Sequence, residues 1–113
     1  MRAQRTWLLG YSQGVGVAVH FAVNNPARVA GIVGLAGGIP QALRPALTQL
    51  AGKPVLWVSG TRDSSYTPAY TAAVEESLRA AGVALETVHV DAAHDLLAPA
   101  EPAVRAWLGP RLG

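Results

Sequence analysis

Four short apolar runs recur along the 113-residue chain, with longer mixed segments between them. Each run is too short for a helix and is rich in branched or aromatic side chains, so each predicts a strand that is buried on both faces. The predicted strands cover residues 6–9, 29–35, 55–59 and 85–90.

The segments between the strands carry helix signals of different quality. Residues 15–25 predict a helix with almost no polar face, and Pro26 ends it because proline cannot continue a helix. Residues 41–50 predict a short helix or an irregular connection, since Pro45 interrupts any regular helix there. A last helix is predicted over residues 102–108.

The remaining helix has start and stop signals of its own. Thr67 is a suitable N-cap, Pro68 suits the first helical position, and Gly82 suits the end. The resulting order, strand and helix four times over, predicts an α/β fold with three layers, α/β/α. Its mostly parallel sheet has about four strands joined by right-handed crossovers. One domain is expected over residues 1–113.

Composition narrows the classes of function. Half of the residues are hydrophobic and 14% are charged, so much of the surface is expected to be buried within the chain or against a partner. The eight arginines and one lysine are scattered, which disfavours nucleic acid as a partner. Without cysteine there is no disulfide or thiolate metal site. We expect no cofactor, no membrane span and a cytoplasmic location.

The segment Gly10-Tyr11-Ser12-Gln13-Gly14 is the strongest chemical signal. A serine on a sharp turn between a strand and a helix is lifted out of the sheet, where a base can reach its hydroxyl. Gly10 and Gly14 are expected to remove Cβ atoms where backbone segments pass closely. Ser12 is therefore a candidate nucleophile.

Two further candidates follow other predicted strands. Asp63 lies in the loop after residues 55–59, and His94 lies in the loop after residues 85–90. The carboxyl ends of parallel strands share one edge of the sheet, so Ser12, Asp63 and His94 are expected to converge there. The predicted roles are nucleophile for Ser12, general base for His94 and orienting acid for Asp63.

Alternatives to these assignments remain open. His20 in the first helix and His89 in the fourth strand are more naturally packed structural histidines, but either is an alternative base. Asp95 is an alternative acid, although a neighbour of His94 in sequence usually points elsewhere. Three glutamates are interpreted as solvated: Glu75, Glu76 and Glu86.

Taken together, the serine motif, the Ala36-Gly37-Gly38-Ile39-Pro40 loop, Gly60-Thr61-Arg62-Asp63 and His94 resemble the phospholipase/carboxylesterase branch of the α/β-hydrolases, which includes acyl-protein thioesterase-like enzymes. The intervals of 51 residues from Ser12 to Asp63 and 31 from Asp63 to His94 are similar to those of that family. The resemblance implies a serine esterase in which the N–H of Gln13 is one oxyanion donor. It covers only the second half of the family's fold, and nothing in the chain matches the second donor.

Five residues that flank the predicted site are expected to line a pocket for short or medium acyl chains: Tyr11, Ile39, Pro40, Tyr66 and Leu96. In the family the strand before the serine lies in the middle of the sheet, so residues 6–9 are expected to form an apolar edge here. A bare apolar edge favours pairing with another strand, and we expect a homodimer with a sheet of about eight strands. The alternative function is a non-catalytic α/β module, either a remnant or one half of a split hydrolase.

Overall fold

The computed structural model describes residues 6–112. Its four strands form one parallel sheet in the order β1-β2-β3-β4, so each strand pairs with the next one in the chain. The strands are β1 (Thr6–Tyr11), β2 (Val29–Leu35), β3 (Pro54–Gly60) and β4 (Ala84–Val90). The predicted α/β class and the parallel sheet are confirmed, and the predicted strands differ from these by at most two residues at an end.

Helices connect the strands and follow the last of them. They are α1 (Gln13–Asn24), α2 (Pro68–Ala80) and α3 (Leu97–Leu112), with 3-10 helices at Pro26–Arg28 and Gln41–Leu50. The Thr67 hydroxyl accepts a hydrogen bond from Tyr70 N, as an N-cap does, and Gly82 closes α2 with a φ of 85°. These start and stop signals are confirmed.

The last helix is longer than predicted. It begins at Leu97, whereas the sequence predicted a start at Pro102. Pro99 lies in the first turn, where backbone N–H groups have no partner inside the helix, so proline costs little there. Pro102 then lies inside the helix, and it is tolerated at the cost of one backbone hydrogen bond.

The sheet separates two hydrophobic cores. On one face, α1, α2 and Gln41–Leu50 pack on inward-facing side chains of the strands, among them Ile32, Val55 and Trp57. On the other face α3 packs on the alternate positions, which include Val33, Leu56 and Val58. The predicted three layers are therefore present, and successive residues of each central strand serve opposite cores.

Two glycines of β2 make room for tryptophan rings of the neighbouring strands. A methyl group at Gly34 would lie 2.6 Å from the Trp57 ring, and one at Gly31 would overlap the Trp7 ring. Trp7 also contacts Trp107 of α3 edge to face, with ring centroids 5.8 Å apart. The glycines that interrupt this apolar strand are thus required by its packing.

The edge of the sheet agrees with the expectation for the first strand. Within residues 6–112, β1 pairs only with β2, through the register from Trp7–Gly31 to Tyr11–Leu35. Leu9 in β1 is 55% exposed. No helix in the same part of the chain is both long enough and apolar enough to cross a bilayer.

Candidate active site

Ser12 occupies a strained turn between β1 and α1. Its φ of 57° and ψ of −122° are unfavourable for a residue with a side chain, and such a conformation costs about 1–3 kcal/mol. Ser12 N donates to Leu35 O across 2.9 Å, which continues the pairing of β1 with β2 past the end of the strand. The turn therefore directs the hydroxyl away from the sheet at its carboxyl edge.

The two glycines of the motif differ in their surroundings. A Cβ at Gly10 would lie 2.7 Å from Gly14 O and from the Cα of Val15, so only glycine lets α1 start this close to β1. A Cβ at Gly14 would meet no described atom within 4 Å. The expectation of close packing is confirmed at Gly10. At Gly14 it is wrong as far as the described residues are concerned, because Gly14 lies on an exposed part of α1.

His94 is carried by the loop between β4 and α3. This loop returns across the sheet edge and brings His94 Nε2 to 2.9 Å from Ser12 Oγ. The other ring nitrogen, Nδ1, lies 2.9 Å from Asp63 Oδ2. The three residues predicted to converge therefore form one continuous series of hydrogen bonds, although each follows a different strand.

Asp63 is held by its own loop as well as by His94. Its Oδ1 accepts hydrogen bonds from Ser65 N at 2.8 Å and from Tyr66 N at 3.0 Å, and the residue is only 3% exposed. Burial alone would raise the pKa of the Asp63 carboxyl, but the hydrogen bonds from Tyr66, His94 and Ser65 outweigh it and hold the pKa below its ordinary value. Asp63 is thus ionised at neutral pH.

The ionised acid determines which imidazole nitrogen can act as a base. A carboxylate can only accept hydrogen bonds, so Nδ1 of neutral His94 must carry the proton that it donates to Asp63. Nε2 then has a free lone pair directed at Ser12 Oγ, and the serine hydroxyl donates to it. This is the arrangement that proton transfer from serine to histidine requires.

A cavity of about 250 Å³ opens beside Ser12. Of the five residues expected to line a pocket, Pro40 and Tyr66 do so. Tyr11 does not line it, and neither do Ile39 and Leu96, which are fully buried in the two cores. The rest of the lining consists of Ser12, Gln13, Gly16, Gly38 and Tyr70.

Tyr70 is a lining residue that sequence reasoning missed. It lies in the first turn of α2, and its hydroxyl donates to Ile39 O at 3.4 Å. A methyl group at Gly38 would overlap this hydroxyl, so the glycine lets the loop before residue 41 lie against the ring. The aromatic contact with Tyr66, at 5.9 Å between centroids, joins both tyrosines into one wall. Only the position of Tyr70 near the helix start, next to the Asp63 loop, could have indicated this.

The competing candidates lie away from the series of hydrogen bonds. His20 is exposed on α1, and Asp95 is exposed beside His94, whose acid partner is Asp63. His89 Nε2 lies 2.9 Å from Glu75 Oε2. His20 and His89 were expected to be packed, but both are exposed, although His89 has a hydrogen-bond partner in Glu75. The expectation that Glu75 is solvated is wrong, because Glu75 is 5% exposed on the buried face of α2.

Comparison with known families decides the relationship. Residues 1–98 match the phospholipase/carboxylesterase family. The chain belongs to this family. Its members are hydrolases, as the resemblance of the serine motif and the Gly60–Asp63 segment implied. No curated protein matches the chain.

Solved structures of several other proteins share the fold. A variant of Arabidopsis thaliana SOBER1 is 22% identical with a TM-score of 0.83, and the match covers 100% of this chain and 56% of that one. The carboxylesterase from Mesorhizobium loti is 26% identical with a TM-score of 0.76, over 91% and 48% of the two chains. Zea mays acyl-protein thioesterase 2 is 20% identical with a TM-score of 0.75, over 96% and 57%. The chain spans about half the length of these proteins.

Proposed function

We propose that this chain is a serine carboxylesterase that forms an acyl-enzyme at Ser12. The observation that carries the proposal is the unbroken series of hydrogen bonds from Ser12 Oγ through the His94 ring to Asp63 Oδ2, with 2.9 Å at each step. The lowered pKa of Asp63 and the strained turn at Ser12 support it, since both are features of activated serine nucleophiles.

In the proposed reaction, Ser12 Oγ attacks the acyl carbon of an ester while His94 Nε2 accepts the hydroxyl proton. The carbonyl electron pair moves to oxygen, and the tetrahedral intermediate collapses by expelling the alcohol, which takes the proton from His94. A water molecule then gives its proton to His94 and attacks the acyl carbon, and the acid leaves as Ser12 regains the proton. Asp63 stays ionised and balances the charge of the imidazolium.

The first helical residue supplies the proposed oxyanion donor. Gln13 begins α1, so its backbone N–H has no partner inside the helix and lies next to the nucleophile. Gln13 also lines the cavity beside Ser12. The partial positive charge at the helix start favours an oxyanion there, and losing such a donor costs about 100- to 1,000-fold in rate.

The size of the cavity supports a short-chain ester as substrate. About 250 Å³ is below the range of about 300–1,000 Å³ that drug-sized ligands occupy. Tyr66, Tyr70 and Pro40 supply an apolar wall without a charged group in the lining. We therefore expect acetyl and butyryl esters to be better substrates than octanoyl esters.

The decisive experiment combines turnover with covalent labelling. The purified chain should hydrolyse p-nitrophenyl acetate and butyrate, and a fluorophosphonate probe should label it once. Ser12→Ala should abolish both, whereas Ser64→Ala, which changes an exposed serine beside Asp63, should keep the labelling. Turnover unaffected by Ser12→Ala would contradict the assignment, and a correctly folded chain that is never labelled would favour the non-catalytic alternative.

We also propose that two copies of the chain pair along β1. Within the described residues β1 hydrogen-bonds only to β2, and an exposed strand edge favours pairing. Leu9 of β1 is exposed, and so is Val17 of α1, the helix that packs against β1; both add apolar surface. A groove of about 450 Å³ runs along α1 between Val17 and Asn25. A two-fold axis beside β1 would join the sheets into one of about eight strands.

The assembly is tested by sedimentation velocity at micromolar concentration. The unchanged chain should sediment as a dimer, and Leu9→Lys should convert it to a monomer because a charge would be buried at the new strand pair. Leu97→Lys is the matched control, since Leu97 is 51% exposed, much like Leu9, but belongs to α3 and not to β1. A monomeric unchanged chain would rule out the pairing, as would equal dissociation of both variants.

A further inference from the structure

Two tyrosine rings stack with the His94 imidazole at tilts below 30°. The Tyr11 centroid is 5.5 Å from the imidazole centroid with 28° between the planes, and the Tyr66 centroid is 5.7 Å away with 29°. The Tyr11 hydroxyl also donates to His94 O across 3.0 Å. His94 therefore stacks with two tyrosine rings, and the hydroxyl of Tyr11 also bonds to its backbone.

The rings of Tyr11 and Tyr66 belong to the same segments as the two hydrogen-bond partners of His94. Tyr11 is the residue before Ser12, and Tyr66 N donates to Asp63 Oδ1. Any shift of the serine turn or of the Asp63 loop would therefore move a ring against His94. The rings couple the position of the imidazole to the positions of its two hydrogen-bond partners.

The rings also act differently on the two charge states of His94. The electron-rich face of a tyrosine attracts a cation within about 6 Å of its centroid, and neutral imidazole gains far less from the same contact. In the proposed reaction His94 becomes an imidazolium only as Ser12 attacks. An interaction that strengthens at that moment lowers the barrier, because it stabilises the transition state more than the free enzyme.

We infer that Tyr11 and Tyr66 are positioning residues that hold the His94 ring and stabilise its protonated form during acyl transfer. The inference rests on the proposed function, in which His94 is the base. The charged and titratable groups near the ring are Asp63, which is bonded to Nδ1, the two tyrosine hydroxyls, and exposed Asp95, which follows in the chain. Of these, only the tyrosines present a face to the imidazole.

The two tyrosines should differ in their effect on substrate binding. Tyr66 lines the cavity beside Ser12, so its replacement changes both the pocket and the contact with His94. Tyr11 does not line the cavity, and its side chain contacts His94 by stacking and by the hydroxyl's hydrogen bond. A change at Tyr11 should therefore lower kcat and leave KM in place, which a loss of pocket shape would not do.

The kinetic test uses three variants with p-nitrophenyl acetate. Tyr11→Phe keeps the ring and loses the bond to His94 O, so kcat should fall about 5-fold. Tyr11→Leu loses both the stacked ring and the bond to His94 O, so its kcat should fall about 10-fold or more while its KM stays within about 2-fold. Tyr70→Leu is the comparison, because it removes a cavity-lining ring that does not stack on His94, and it should mainly raise KM.

A second measurement does not depend on turnover. The Hε1 resonance of His94, followed by NMR against pH in a Ser12→Ala background, reports when the ring gains its proton. Tyr11→Leu and Tyr66→Leu should each move the midpoint down by about 0.5 pH unit, since each removes one cation–π contact. Tyr70→Leu should not move it.

The outcomes separate the inference from the proposed function. Unchanged midpoints in Tyr11→Leu and Tyr66→Leu, together with unchanged kcat in Tyr11→Leu, would overturn the role of the rings even if fluorophosphonate labels Ser12. Shifted midpoints in a chain that the probe never labels would retain the effect of the rings on His94 and remove the esterase instead. Tyr11→Phe keeps the aromatic ring, so it tests the role of Tyr11 even if Tyr11→Leu fails to fold.

Discussion

The backbone N–H of Tyr66 donates to Asp63 Oδ1 across 3.0 Å, so the carboxylate oxygen that faces away from His94 is held by its own loop. Together with Ser65 N and His94, this contact lowers the pKa of a buried carboxyl that burial alone would raise. An ionised Asp63 therefore stabilises the folded chain as well as accepting the hydrogen bond from His94.

The lowered pKa of Asp63 predicts a loss of stability in acid. The unfolded carboxyl has a pKa near 3.9, so above that pH the stabilisation is fully present, and it is lost as the pH falls through the lower folded-state pKa. The free energy of unfolding, measured with urea from pH 7 to pH 2.5, should fall below about pH 4. Asp63→Asn should show a smaller fall, whereas exposed Asp91→Asn should retain the fall of the unchanged chain.

Asp63→Asn should also nearly abolish turnover. An amide nitrogen facing Nδ1 favours the tautomer with its proton on Nε2, which cannot accept the Ser12 proton, and the expected loss in kcat is about 1,000- to 10,000-fold. Asp95→Asn is the matched control because Asp95 is exposed beside His94, and it should change kcat less than about 3-fold. A larger effect of Asp95→Asn would transfer the orienting role to Asp95.

The two glycines of the serine motif should respond oppositely to alanine. Gly10→Ala places a methyl group 2.7 Å from backbone atoms of Gly14 and Val15, which cannot yield as a flexible side chain would. We expect thermal unfolding to show a destabilisation of about 1–3 kcal/mol. Gly14→Ala meets open space in a helix and should stabilise by up to about 1 kcal/mol. Equal effects would contradict the tight contact at Gly10.

The contact between α2 and β4 predicts a difference between adjacent glutamates. Glu75→Ala removes the hydrogen-bond partner of the His89 ring and leaves a gap under α2, so urea unfolding should show a loss of about 1–3 kcal/mol. Glu76→Ala changes an exposed neighbour and should stay within about 0.5 kcal/mol. Similar losses of stability at both positions would show that the contact between Glu75 and His89 contributes little, and that the effect comes from replacing a glutamate in a helix.

The elements that the sequence predicts well are those with a single strong local signal. Val29–Leu35 is an uninterrupted apolar run, and the strand has these bounds. Ser12, Asp63 and His94 could be brought together because each follows a predicted parallel strand, and such strand ends share one edge. In these cases local pattern and topology agree.

Features that depend on packing between elements were missed. The buried positions of α2 are Thr71, Val74, Glu75 and Leu78, which repeat at the spacing of one helix face. That spacing predicts that Glu75 is buried, but Glu75 was interpreted as solvated because its side chain is charged. Pro99 and Pro102 made the start of α3 hard to predict. A proline has no backbone N–H to donate, and this is compatible both with the first turn of a helix and with a loop. The contacts of Tyr11 with His94 depend on how a loop returns over the sheet, which no local pattern encodes.

Within residues 6–112, Ser12 follows the strand at one edge of the sheet and His94 follows the strand at the other edge, three strand spacings or about 14 Å away. Their 2.9 Å contact can form only after every intervening strand has docked and the last loop has folded back. The reactivity of Ser12 would thus report on completion of the whole sheet, and stopped-flow refolding should recover it no earlier than the slowest backbone amide protection.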